Sequence, residues 1–144
     1  MDKRRIAGSI FIDLKKAFDL VDHHCLLHKL EHNGIRETSL KWFEDYLATQ
    51  TQKVKYNQDV SSSLTICYGV PQGSILGSIL FVLYIDDLPQ SLLKSSIGMC
   101  TDDTVINFAD PSAEIVEQGL QNDLNNVEKW LVSNRLVLNQ NKTK

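Results

Sequence analysis

The chain opens with an apolar run, Ile6-Ala7-Gly8-Ser9-Ile10-Phe11-Ile12, that stops abruptly at Asp13. Its isoleucines and phenylalanine predict a buried strand that delivers one carboxylate at its end. The periodicity then becomes helical. Leu26, Leu27 and Leu30 share one face of a segment over 18–32, and Gly34 supplies its C-terminal stop. A second helix over 39–47 puts Leu40, Phe43 and Leu47 on one side, at spacings of three and four. Residues 52–56 alternate as a strand does, 57–63 are polar and read as a loop, and 64–68 are another strand. After a glycine- and proline-rich turn, residues 74–84 are almost continuously apolar, which predicts a largely buried helix, with a strand as the alternative. Strands over 96–100 and 104–108 are joined at Thr101-Asp102-Asp103, so that the carboxylates stand at a hairpin tip. Asp110-Pro111 predicts a helix start, with Asp as N-cap and Pro in the first turn. Val116, Leu120, Leu124, Val127 and Leu131 carry that helix onward, and residues 136–138 return as a short strand. This order predicts an α+β fold, with helices backing one face of an antiparallel sheet.

A length of 144 residues suits one ordinary domain, and a 42% hydrophobic fraction excludes intrinsic disorder. The net charge of −3 and pI near 5.7 argue against a free-standing nucleic-acid binder, and fit better the acidic part of a larger protein. Cys25, Cys67 and Cys100 are odd in number and far apart, which indicates neither a disulfide framework nor a zinc site. Met1-Asp2-Lys3-Arg4-Arg5 is no signal peptide, and the apolar stretch over 75–85 is too short to span a bilayer. The expectation is a soluble intracellular protein, with nucleus and cytoplasm both open.

Two acidic signatures lie far apart, Phe11-Ile12-Asp13-Leu14 and Thr101-Asp102-Asp103-Thr104, with Gly69-Val70-Pro71-Gln72-Gly73-Ser74 between them. If they meet in the fold, three short carboxylates form a set of hard oxygen ligands suited to divalent metals and phosphate. An Asp after a strand is ordinarily a cap, and Asp-Asp a solvated turn. Both in this order, with the glutamine–glycine turn between, reverse that judgement. The arrangement resembles the palm of a reverse transcriptase, and its wording resembles the polymerases of non-LTR, LINE- or jockey-like retrotransposons over nearly the whole chain.

The resemblance implies a palm-like antiparallel sheet backed by helices, and an RNA-directed DNA polymerase. Such an enzyme uses two Mg2+ ions, or Mn2+, to join a deoxynucleoside triphosphate to a primer 3′-hydroxyl. In Phe11-Ile12-Asp13-Leu14-Lys15-Lys16-Ala17-Phe18-Asp19 it makes Asp13 a metal ligand, aided by the backbone carbonyl of Leu14. Amides near Lys16 and Ala17 would face the triphosphate, and Phe18 would lie under the sugar and exclude a 2′-hydroxyl. Gln72 and Gly73 would follow the template and nascent base pair, where glycine permits close approach. Asp102 and Asp103 would complete the metal site. In the segment from Asn134 onward, Lys142 would approach the pyrophosphate as a general acid. The implied partners are an RNA template, a DNA primer and the dNTP, without a membrane. Residues 1–144 would then be a single partial domain, palm with part of the fingers, whose remaining fingers and thumb belong to a longer polyprotein.

Tyr84-Ile85-Asp86-Asp87 competes for the role of second acidic box. It begins only eleven residues after Gly73, too few for a helix and a hairpin strand, and Leu88-Pro89 would interrupt a central strand. It is assigned to structure. The chosen box departs from the family's aromatic-Ala-Asp-Asp, reading Cys100-Thr101-Asp102-Asp103. Cysteine supplies no ring near the primer end. That departure supports a rival expectation, a catalytically inactive retrotransposon remnant persisting as a folded or binding module. A metal-dependent nuclease would leave the Gly-Val-Pro-Gln-Gly string unexplained. His23, His24 and His28 with Cys25 lack a second ligand pair and read as a partly exposed helix face. Lys3-Arg4-Arg5 reads as a solvated terminus.

Overall fold

The computed structural model describes residues 5–144, so Lys3 and Arg4 lie outside the described residues. In chain order the elements are β1 (Ile6–Ile12), α1 (His23–His32), α2 (Glu37–Ala48), β2 (Thr51–Gln52), β3 (Lys55–Tyr56), β4 (Asp59–Val60), β5 (Leu64–Thr65), α3 (Ile75–Ile85), β6 (Ser96–Cys100), β7 (Asp103–Asp110) and α4 (Ala113–Ser133). They fall into two compact units, one of residues 18–84 and one of the chain up to Ala17 with residues 85–144. The mixture of helices with antiparallel strands is the predicted α+β class.

In the second of these units, β7 is the centre of a three-stranded antiparallel sheet ordered β1-β7-β6. Pairing runs from Ile6–Asp110 to Ile12–Thr104 on one side, and from Ser96–Asn107 to Cys100–Asp103 on the other. Alternation of side chains therefore puts Ile10, Ile12, Ile97, Thr104 and Ile106 on one face, and Ser9, Phe11, Gly98, Val105 and Asn107 on the other. Helix α4 covers the first face. A Cβ on Gly8 would stand 2.7 Å from Leu120, and one on Gly119 would stand 2.8 Å from Phe108, so these glycines let helix and sheet approach closely. The second face is open, for Phe11 is 61% exposed and Ser9 Oγ donates to Asn107 Oδ1 at 2.7 Å on the surface. Strand β1 is thus an edge strand covered on one side, which corrects the expectation of a buried strand. Within it, only Ile12 is buried.

Helix α4 starts later than predicted. Its N-cap is Ser112, while Asp110 Oδ1 accepts from the Ser112 amide at 3.0 Å in a turn that precedes the helix. Its buried stripe is Val116, Leu120, Asp123, Val127 and Leu131, so Asp123 takes the place expected for Leu124. The Asp123 carboxylate accepts the amides of Leu93 at 2.8 Å, Lys94 at 3.1 Å and Ser95 at 2.7 Å. Burial alone would raise its pKa, but these donors outweigh burial and hold it below the usual carboxylate range. A buried charge thus ties α4 to the approach to β6.

In the unit of residues 18–84, the helix predicted over 18–32 is broken. A 3-10 turn, Ala17–Leu20, comes first, and Asp22 then caps α1 by accepting from the Cys25 amide at 2.8 Å. Gly34, at φ +90°, ends α1 as expected. Strand β2 pairs with β5, and β3 with β4, so part of the predicted polar loop is a hairpin. Its turn places Asn57 at φ +54°, a conformation Asn tolerates. Helix α3 buries Leu80, Phe81 and Tyr84 but exposes Ile75, Ile79 and Val82. It is therefore covered on one side only. Among the described residues, no helix is long and apolar enough to cross a membrane.

Candidate active site

Strand β1 ends with Ile12 opposite Thr104. One residue further, alternation sets Asp13 beside Asp103 on the open face of the sheet. Cys100 pairs with Asp103 across a two-residue turn, Thr101-Asp102. Asp13, Asp103, Cys100 and Lys142, with Phe11 and Val105, line one cavity of about 640 Å³. That volume lies within the range of small-ligand clefts. Asp102 is exposed in the turn and does not line the cavity. Among the described residues, no three His, Cys, Asp or Glu side chains are grouped closely enough to hold a metal ion by themselves. The structure therefore gathers Asp13, Asp103 and Lys142, and leaves Asp102 beside them on the hairpin tip. Two hard carboxylates still fit magnesium, which keeps several waters and takes one or two carboxylates plus phosphate oxygens.

The hairpin tip is a strained place. Thr101 has φ +57°, a left-handed conformation that is unusual for a β-branched residue.

The chain beyond α4 folds back onto Asp13. Leu138 bridges Leu14, through bonds from the Lys15 amide to the Val137 carbonyl and from the Asn139 amide to the Asp13 carbonyl, both 2.8 Å. These bonds flank the Leu14–Leu138 pair, so the carbonyl of Leu14 points away from Leu138. Asn139 Nδ2 donates to Asp13 Oδ2 at 2.7 Å, and the Asp13 amide donates to Thr143 Oγ1 at 3.4 Å. The carbonyl of Asn139 accepts the Lys142 and Thr143 amides at 3.0 and 2.9 Å, closing the turn that carries Lys142. Lys144 exchanges two backbone bonds with Phe11, at 2.8 and 3.1 Å. Lys16 is exposed at φ +48° and turns the chain out of this region, and Ala17 after it is buried.

The remaining predicted residues belong to the 18–84 unit. Phe18 is buried, and its ring stacks on Phe81 with centroids 4.7 Å apart. Gln72 and Gly73 are exposed in the turn before α3, with Gly73 at φ +83°. The Ser74 hydroxyl accepts the Gly77 amide at 2.9 Å and donates to the Pro71 carbonyl at 2.8 Å, which caps α3. Gly69 has φ +91°, and a Cβ there would stand 3.1 Å from the Asp19 backbone. Its amide donates to the Val21 carbonyl at 2.7 Å, and its carbonyl accepts from His23 Nε2 at 2.8 Å. Glycine is required at that corner. Asp86 and Asp87 follow α3, and Asp87 stands at the position just before the 3-10 turn Leu88–Ser91, so the competing box sits at a helix end.

Comparison with known proteins agrees with these motifs. Residues 2–144 match the reverse transcriptase (RNA-dependent DNA polymerase) family. The chain is 27% identical over 146 residues to a probable RNA-directed DNA polymerase from the transposon X-element of Drosophila melanogaster. It is 28% identical over 149 residues to the RNA-directed DNA polymerase from the mobile element jockey of the same species. Each match covers 99% of this chain but 16% of the relative. A telomerase from Candida albicans shares the fold, with a TM-score of 0.67 at 19% identity, over 96% of this chain and 27% of that one. The chain belongs to the reverse transcriptase family, as a partial domain akin to the polymerases of jockey-like, non-LTR retrotransposons.

Proposed function

We propose that these residues form the catalytic part of an RNA-directed DNA polymerase, acting by two-metal nucleotidyl transfer from a dNTP to a primer 3′-hydroxyl on an RNA template. In this reading residues 1–144 are one partial domain, palm with part of the fingers, of a longer protein that works inside the cell. The observation that carries it is the placement of Asp13 and Asp103 side by side on the open sheet face, in a cavity shared with Lys142. Bound Mg2+ or Mn2+ would supply charge neutralisation at the triphosphate and activation of the primer hydroxyl. Asp13 and Asp103 hold the cations, with Asp102 and the Leu14 carbonyl as further oxygen ligands. Lys142 protonates the departing pyrophosphate. Backbone amides at Lys16 and Ala17 receive the triphosphate, Phe18 selects the deoxyribose, and Gln72 and Gly73 follow the template.

A second reading, an inactive remnant retained as a folded or binding module, draws support from two observations. Asp102 stands outside the cavity, and Cys100 lines it where the family places a ring. Primer extension on an RNA template with Mg2+ or Mn2+ separates the readings. With the remaining fingers and thumb segments of the longer protein supplied, extension should be detectable and fall to background on substituting Asp13, Asp102 or Asp103 by Ala, whereas the 144-residue chain alone should extend poorly or not at all. Extension that survives Asp13→Ala and Asp103→Ala refutes the catalytic assignment, and its absence with those segments supplied and with both metals favours the remnant.

A further inference from the structure

Among the described residues, Asp13 is the acidic residue of the cavity whose side chain accepts a hydrogen bond from elsewhere in the chain. An ionised carboxylate only accepts hydrogen bonds, so Asn139 must present its NH2 group to Asp13 Oδ2 at 2.7 Å. The same residue donates its backbone amide to the Asp13 carbonyl at 2.8 Å. Two bonds from one residue, one to the main chain and one to the side chain, fix both the position of Asp13 and the rotation of its carboxyl group. Oδ2 is engaged by the amide, which leaves Oδ1 and the second lone pair of Oδ2 for a ligand in the cavity. Asn139 also organises the cationic side of the site, because its carbonyl accepts the amides of Lys142 and Thr143.

We propose that Asn139 is a positioning residue that orients Asp13 for cation binding and sets the Lys142 turn against it. The inference rests on the metal-binding reading of Asp13 given above. Partners that orient a ligating carboxylate typically alter metal affinity by 10- to 100-fold when removed, so the effect should be measurable without any polymerisation.

The test uses the 144-residue chain and Mn2+ as the probe, with bound and free ion separated by electron paramagnetic resonance. The 13C resonance of the Asp13 carboxyl group is recorded without metal. Asn139→Leu keeps the approximate volume and removes the amide. It should weaken Asp13-dependent Mn2+ binding by about tenfold and shift the Asp13 carboxyl resonance, with the circular dichroism spectrum unchanged. Asp13→Asn serves as the site control. Wild-type affinity in Asn139→Leu, with binding lost in Asp13→Asn, overturns the positioning role and leaves the metal site standing. If the unaltered chain shows no Asp13-dependent binding, the metal reading falls, and the claim that Asn139 orients Asp13 for a cation falls with it. The carboxyl resonance then reports only whether the clamp exists. Should the leucine variant fail to fold, Asn139→Ser, whose side chain is too short to reach Asp13, is read by the same outcomes.

Discussion

The two carboxylates of the cavity are held differently. Asp13 is bonded at its amide, its carbonyl and its carboxylate by Thr143 and Asn139, whereas Asp103 is exposed at the first position of β7. Immediately after it, Thr104 turns to the opposite face and is buried, with a hydroxyl that finds no partner among the described residues. A buried hydroxyl without a partner costs the desolvation of a polar group and returns nothing. Thr104→Val keeps the shape and removes that group, so it should stabilise the chain by about 1 kcal/mol, read from the urea midpoint. A lower midpoint would mean that the hydroxyl is satisfied in solution. The identity of Asp13 and Asp103 as candidate residues was legible from the sequence, because each lies in a short motif. The Asn139 contact was not. It joins side chains 126 residues apart, and no local pattern distinguishes an asparagine that reaches a carboxylate from one in a solvated turn.

Most elements follow the periodicity of the chain, and the departures share a cause. Apolar composition states that a segment is covered but not on how many sides, which is why β1 and α3 both proved half open. The helix predicted over 18–32 breaks at Asp22 because a side chain that accepts the Cys25 amide offers the backbone a better start than continuation. In α4 the apolar stripe pointed to Leu124, while the buried position belongs to Asp123. A carboxylate in that row had no reading until the three amides before β6 were placed against it. Removing it by Asp123→Ala strands three donors and should cost about 3 kcal/mol or more. Because its folded pKa is lowered, the stability that Asp123 contributes is present above the unfolded carboxylate pKa and is lost as pH falls through the lower folded value. Melting curves of wild type and Asp123→Ala should therefore converge only in strong acid. A constant gap down to the lowest pH at which the chain folds would show that the carboxylate acts by shape alone.

At the scale of the whole molecule, the order of motifs carried the family, since only a long-range arrangement makes an Asp after a strand and a distant Asp-Asp pair mean more than caps and turns. The chain contains a second Asp-Asp pair, and composition cannot choose between the two. The fold separates them. Asp86 and Asp87 end a helix and enter a 3-10 turn, whereas Asp102 and Asp103 lie at the tip of the β6–β7 hairpin, with Asp103 facing the cavity that Asp13 also lines. Carboxylates on adjacent strand ends repel one another, and a divalent cation bound between them relieves that repulsion only in the folded chain. Mn2+ should therefore raise the melting temperature, by an amount equivalent to roughly 1.4 kcal/mol at ten times its dissociation constant. Replacing Asp102 and Asp103 together by Asn should abolish this shift, and the same change at Asp86 and Asp87 should leave it nearly intact. A shift that disappears with Asp86 and Asp87 and survives the loss of Asp102 and Asp103 would place the cation at the helix end instead. The register that brings Asp13 beside Asp103 would then be a feature of the sheet and not of a metal site.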